Sequence, residues 1–212
     1  MKKGERRKQE LLDIAYRMFI SKGYENTSID DIINEAGIAK GTYYYYFKSK
    51  EQTLEAVIEV MIEKETEAAV SILDSDMPAL QKMVAIIASI RPEPEEQPIE
   101  GALMRPENII MHQRIKQKLV EKVVPLLSKV VEEGMEQGIF SCDYLPERVR
   151  MMLILSNELF DEGSFTDRDI DVFIDITEKL LGAQKNSMDF IRHLIAAPAP
   201  SDVQTANAED KR

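Results

Sequence analysis

The sequence predicts an all-α protein of about nine or ten helices, and three observations carry that prediction. Apolar residues recur three and four apart in segment after segment. Those segments open on Ser, Thr or Pro, and several close on glycine, at Gly23, Gly37 and Gly182. A chain of 212 residues buries a good core as one domain or as two closely packed ones.

Leu11, Ile14, Ala15, Met18 and Phe19 keep helical spacing, so a first helix runs to about Lys22 and stops at Gly23. Lys2 to Lys8 precede its apolar face as a basic arm, able to lie across a phosphate backbone or simply to be solvated. Thr27 is placed to cap the next helix with Asp30 three residues on, and Ile29, Ile32, Ile33 and Ala36 give it one apolar face. Gly37 can end it with a positive φ. After the turn Ile38-Ala39-Lys40-Gly41, Thr42 is expected to cap a helix holding Tyr43 to Tyr46, four of the seven tyrosines of the chain. Tyr43 and Phe47, four apart, read as core, while Tyr44, Tyr45 and Tyr46 fan round the other faces. Phenol hydroxyls suit phosphate oxygens and ring faces suit thymine methyls. With Lys40, Lys48 and Lys50 beside them, the two helices and the turn form a helix-turn-helix signature. The competing reading is a tyrosine-rich helix packed into an all-α core.

Ser49 with Gln52 predicts a capping box, followed by a stripe of Leu54, Val57, Ile58, Met61, Ile62, Ala69 and Ile72 over some twenty residues. Met77 to Ile90 reads as a further helix, and the prolines of Pro92 to Pro98 predict an irregular loop. Gly101 to His112 reads as a short helical stretch interrupted by Pro106. Leu119 to Gly134 is a longer helix containing Pro125, and Gly138-Ile139-Phe140 is a turn. Pro146 suits the first turn of a helix whose stripe is Val149, Met152, Leu153, Ser156, Leu159 and Phe160, ending at Gly163. A second stripe follows from Asp167, with Ile170, Phe173, Ile174, Thr177, Leu180 and Leu181. Met188, Ile191, Leu194 and Ile195 mark a last short helix, and the Ala-, Pro-, Asp- and Ser-rich residues after it predict a disordered tail over 196–212.

Charge is polarised along the chain: residues 1–50 carry a net of +3 and the remainder −14. Contact with nucleic acid is therefore expected at the first fifty residues and not beyond them. Cys142 is the only cysteine, which excludes an internal disulfide and fits a reducing cytoplasm. No apolar run reaches about eighteen residues, so no membrane span is predicted. With His112 and His193 far apart and no phosphate loop or metal-ligand spacing, there is no catalytic set, no metal site and no cofactor to predict. An enzyme is not indicated.

The stretch from Gly23-Tyr24 through Thr27-Ser28-Ile29, Ala36-Gly37-Ile38, Lys40-Gly41-Thr42-Tyr43-Tyr44-Tyr45-Tyr46-Phe47 and Lys48-Ser49-Lys50-Glu51 to Leu54 resembles the TetR/AcrR family of bacterial transcriptional regulators. The resemblance implies a three-helix helix-turn-helix domain in residues 1–50 and a helical effector-binding and dimerisation domain in residues 51–195. By it, Thr27 and Ser28 lie at phosphate; Lys40, Gly41, Thr42, Tyr44 and Tyr45 reach the major groove; Tyr44, Tyr46 and Lys50 are also placed to hold phosphates; and Lys48 belongs to the same DNA-binding surface. Asp30 stands where many members carry a basic or neutral residue, and a carboxylate there opposes phosphate unless it pairs with a nearby lysine or a cytosine amino group. The resemblance further implies a homodimer on a palindromic operator in double-stranded DNA. The two late stripes would form its four-helix interface, although the same stripes could instead cover this subunit's own core. A cavity for a small, largely apolar effector is expected among Met61, Glu65, Met83, Ile87, Met104, Asn108, Met111, His112 and Leu127, since nine of the eleven methionines lie beyond residue 50. The expected function is that of a repressor released from DNA by that effector. The alternatives are a protein of this fold that organises DNA or binds a protein partner without a small effector, and a carrier or enzyme that has lost DNA binding.

Overall fold

The computed structural model describes residues 3–160 and 165–196, and no strand occurs among them. In chain order the helices are α1 (Lys3–Lys22), α2 (Ile29–Ala36), α3 (Lys40–Tyr46), α4 (Lys50–Leu73), α5 (Ala79–Ser89), α6 (Gln97–Leu103), α7 (Ile109–Glu136), α8 (Leu145–Phe160), α9 (Asp167–Leu181) and α10 (Phe190–Ala196). Two 3-10 turns, Pro94–Glu96 and Pro106–Asn108, precede α6 and α7. The all-α class predicted from periodicity is the class the chain adopts. The predicted tail from residue 197 on, Lys2 and the helix end at Gly163 lie outside the described residues. The described residues fall into two compact units, divided after Lys64, Arg91 and Ile115, the first and third segments forming one and the second and fourth the other; α4 and α7 each give one part to either unit.

In the first unit, Leu11, Ala15 and Phe19 of α1, Ile32 of α2, Tyr43 and Phe47 at α3, and Leu54 of α4 are almost wholly buried. Burying each of the larger of these side chains contributes roughly 1.5–3 kcal/mol, which is what holds α2 and α3, helices of 8 and 7 residues that could not stand alone. Residues 3–8 are not a free arm: they are the opening turns of α1, and the Lys8 ammonium lies 5.8 Å over the Phe47 ring. The proline-rich stretch is not an irregular loop either. Pro94 and Pro98 occupy opening positions of the 3-10 turn and of α6, where no backbone N–H is required. Glu96, buried, accepts a bond from Glu93 N (2.8 Å) and another from the Tyr16 hydroxyl of α1 (2.9 Å); burial of the phenol, reinforced by that bond, pushes the Tyr16 pKa up to about 12. Arg105 bridges to Glu25 at 3.0 Å and Arg114 to Glu55 at 3.2 Å. Asn108, also buried, donates to the Ala102 carbonyl at 2.7 Å, and α7 begins at once, ten residues earlier than its apolar stripe suggests.

In the second unit, Met83 and Ile86 of α5, Leu127, Val130 and Val131 of α7, Val149 of α8, Leu181 of α9 and Met188 form one apolar cluster. α9 opens on a reciprocal box, Thr166 Oγ1 accepting from Asp169 N while Asp169 accepts from Thr166 N; the Thr166 hydroxyl, donating to the Asp169 carboxylate at 2.7 Å, and then the Thr166 backbone N–H hold the carboxyl below the usual range. It closes on Gly182, at φ 62°, where the backbone of Ser141 lies so near that its N–H donates to Leu181 O at 3.0 Å. Within the same unit the buried Lys82 ammonium donates to Leu73 O (2.8 Å), at the end of α4, and to both oxygens of Glu133 (2.7 and 3.0 Å). Glu133→Ala is expected to destabilise by about 2 kcal/mol, since it strands a buried charge, whereas Lys82→Met, which leaves only a partly exposed carboxylate, loses less. Urea unfolding of the two single variants and the double checks that asymmetry.

Candidate nucleic-acid interface

Ser28, not Thr27, caps α2. Its hydroxyl accepts from Asp31 N at 3.0 Å while the Asp31 carboxylate accepts from Ser28 N at 2.9 Å and from the Ser28 hydroxyl at 2.8 Å, and the two bonds to the carboxylate hold it below the ordinary carboxylate range. Thr27 is fully buried, its hydroxyl donating to Gly23 O at 2.9 Å, so its side chain does not reach the surface at which it was expected. Gly37 ends α2 at φ 60°, ψ 38°, the left-handed cap foreseen for it. Thr42 is not a cap: Ala39 precedes the first helical residue, Lys40, and no side chain caps α3.

Two faces of α3 separate as the four-residue spacing requires. Tyr43 and Phe47 are wholly buried with ring centroids 5.8 Å apart, and the Tyr43 hydroxyl shares a 2.5 Å hydrogen bond with the buried Thr53 of α4. Outward, Tyr45 is 77% exposed and packs edge-on against the half-buried Tyr46; Gly41 is open, and Thr42 and Tyr44 are half-buried. Lys48 N donates to the Gln52 side chain at 2.6 Å and Gln52 N to Ser49 Oγ at 3.2 Å, a variant of the predicted box shifted by one residue.

Each of the three lysines expected at DNA is already held by a protein acceptor. Lys40 Nζ lies 3.0 Å from Asp30 Oδ1, a pairing that raises the Lys40 pKa; Lys48 Nζ donates to Tyr44 O at 2.7 Å. Lys50 Nζ donates to Tyr24 O at 3.0 Å and sits 4.2 Å over the Tyr24 ring. An ammonium has three protons, so each keeps donors for a further partner. The opposition between Asp30 and phosphate is met by the first of the two pairings that could relieve it. No charge rule of thumb shows this, because the two residues, ten positions apart, come together only through the turn.

The two late stripes lie largely within this subunit's own core. Val149 and Met152 of α8, with Ile170, Phe173, Ile174, Thr177 and Leu181 of α9, are buried in the subunit's own core. Leu153, Leu159, Phe160 and Leu180 are half-buried against that core, and Ser156 is half-buried too. The apolar side chains these helices leave in solvent lie off the predicted stripes: Met151 (60% exposed), Ile154 (54%) and Val172 (55%). Apolar residues outside a helix's main stripe were the signal that would have found them. Of the residues expected around an effector, Met61, Met104, Asn108, Met111 and His112 fall in the first unit, and Glu65, Met83, Ile87 and Leu127 in the second. Met83 and Leu127 are fully buried in the second unit's core, with Ile87 half-buried against it; in the first unit Met111 is buried and Met104 exposed. Two buried hydroxyls of the second unit, Ser128 and Thr177, lack a hydrogen-bond partner.

A short cap-and-turn helix pair presenting an aromatic, lysine-framed helix from an all-α scaffold is the DNA-binding element of a helix-turn-helix transcription regulator. Residues 11–57 match the model of "Bacterial regulatory proteins, tetR family", and residues 95–179 match that of a "Tetracyclin repressor-like, C-terminal domain". The chain belongs to the TetR family. It is 28% identical over 167 residues to the HTH-type transcriptional repressor KstR2 of Mycolicibacterium smegmatis, covering 78% of this chain and 71% of that one. It is 44% identical over 48 residues to the transposon Tn10 TetC protein of Escherichia coli, a match confined to 23% of this chain and 24% of the other. A transcriptional regulator from Cytophaga hutchinsonii shares the fold with a TM-score of 0.57 at 19% identity, over 82% of this chain and 94% of that one. A TetR/AcrR regulator from Thermobifida fusca does so with a TM-score of 0.51 at 22% identity, over 86% and 100%. Among the described residues no helix is long and apolar enough to cross a membrane, and no acidic, His or Cys cluster could hold a metal.

Proposed function

We propose that this regulator is a homodimeric repressor that reads a palindromic operator and leaves it when a small, largely apolar effector binds. The observation that carries the reading is the division of α3, with Tyr43 and Phe47 locked inward and Gly41, Thr42, Tyr44, Tyr45 and Tyr46 left outward beside Ser28, Lys40, Lys48 and Lys50. A recognition helix must be held rigidly from behind to offer its N-terminal turns to base edges. Repression is favoured by the similarity to a protein named as a transcriptional repressor. In this reading residues 1–50 bind DNA and residues 51–195 hold the effector and the dimer contact. Half-sites about one helical turn apart require two copies related by a two-fold axis. Met151, Ile154 and Val172 are the exposed apolar residues of α8 and α9 available to the second copy. The effector would draw on the methionine-rich interior of residues 51–195, and the partnerless hydroxyls of Ser128 and Thr177 suit a ligand with a polar atom. Its action is a shift between dimer geometries, the effector binding better to the one that does not fit the operator.

Selection of bound sequences from a random duplex pool, at two salt concentrations, tests this. The expected result is a palindrome for the wild type and, for Tyr44→Ala, a loss of about tenfold or more in affinity for it, the size of one good contact at a base or phosphate. Binding that follows salt alone and returns no motif would instead favour a protein that organises DNA. Small apolar compounds that raise the melting temperature and dissociate the complex would establish the effector, since a ligand of the folded state stabilises by mass action.

A further inference from the structure

The Asp30–Lys40 bridge joins the second residue of α2 to the first residue of α3, both side chains standing more than half exposed at the edge of the outward face described above. Taking α3 to lie in the major groove, as the functional reading has it, we propose that this bridge is a composite reader of one G·C base pair per half-site, Lys40 donating to guanine and Asp30 accepting from cytosine.

The argument is one of matched spacing and order. Lys40 Nζ and Asp30 Oδ1 are 3.0 Å apart, a donor beside an acceptor. In the groove, guanine O6 and the cytosine N4 amino group are themselves hydrogen-bond partners, so they stand about 2.9 Å apart as an acceptor beside a donor. Laid against each other, the two pairs close a ring of four alternating hydrogen-bonding groups without either ion leaving its partner. A carboxylate has two oxygens, and the ammonium keeps two protons after Asp30 takes one. Lys40 can therefore serve O6 and N7 of the same guanine. Base pairs of the opposite order place donor against donor and are rejected. A T·A pair has the right order in the centre of the groove, but its methyl group occupies the place where guanine offers N7, so it loses the second lysine contact. Tyr44, one turn beyond Lys40 on the same face, is left to the neighbouring base or phosphate. The bridge also accounts for a carboxylate on a surface that faces phosphates: an isolated Asp30 would only repel DNA, whereas a paired one carries information.

The test compares selected motifs for the wild type, Asp30→Ala and Lys40→Met, each first shown to keep the wild-type melting temperature, as exposed positions should. The expected result is one column of the half-site fixed as G·C by the wild type and released in both variants by about tenfold, with the other columns intact. Asp30→Ala should at the same time bind unrelated duplex more tightly and with steeper salt dependence, because an anion has been removed from the phosphate-facing surface. If Asp30→Ala strengthens specific and unrelated DNA equally and no column changes, the bridge merely neutralises charge and the proposal is overturned. A wild type that returns no motif at all overturns the sequence-specific reading itself, a result distinct from an unchanged column.

Discussion

Gly182→Ala is expected to destabilise the second unit by about 4 kcal/mol or more, toward the extreme of single-substitution effects. A Cβ at this position would lie 2.8 Å from the carbonyl carbon of Ser141 and closer still to its oxygen, and both belong to backbone that cannot turn away. The same backbone is tied down by the bond from Ser141 N to Leu181 O, so relieving the clash breaks the contact that seats the end of α9. Left-handed φ adds about 1 kcal/mol of its own for a residue with a side chain. Gly37→Ala separates the two causes: its φ is also left-handed, but nothing lies within 4 Å of the added carbon, so only the strain remains. Urea unfolding followed by far-UV circular dichroism measures both, and a Gly182→Ala loss no larger than that of Gly37→Ala would show that the loop at Ser141 yields.

Tyr43→Ala is expected to cost the first unit about 3–5 kcal/mol, the range for emptying the space of a buried aromatic. It removes the ring that packs on Phe47 and leaves Thr53 without its 2.5 Å partner, so α3 loses its main hold on α4. A seven-residue helix has no stability without such packing. DNA binding should vanish at temperatures where the second unit keeps its secondary structure, seen as two separated melting steps in calorimetry. Tyr43→Phe keeps the ring and should retain most of the binding. A Tyr43→Ala protein that binds DNA normally would mean that α3 is held by something other than its buried face.

Periodicity was enough to place α1, α2 and the inward face of α3, because the apolar stripe alone decides each of them, whereas the capping residues expected at Thr27 and Thr42 were misplaced. It failed where the deciding partner is far away in sequence. The prolines of 92–98 look like breakers in isolation, yet Glu96 finds Tyr16 eighty residues earlier and the segment becomes a turn and a helix start. The stripes of α8 and α9 were correct as stripes, but a stripe does not say whether it meets its own subunit or another; Val149 and Phe173 meet their own. Thr27 and Ser28 are both good capping residues, and only the burial of Thr27 beneath Gly23 decides between them. The lysines of the interface were found by counting charge, while the acceptors that hold them, Asp30, Tyr44 O and Tyr24 O, depend on the folded turn.

The chain contains no tryptophan, and four of its seven tyrosines sit on α3. Its ultraviolet emission therefore comes largely from the one helix that is meant to lie in the groove, and three of those four rings are turned away from the core. Stacking or energy transfer to bases will dim that light directly. The protein thus carries its own optical probe at the interface, and unlabelled titration with duplex DNA can follow occupancy while effectors are screened in the same cuvette.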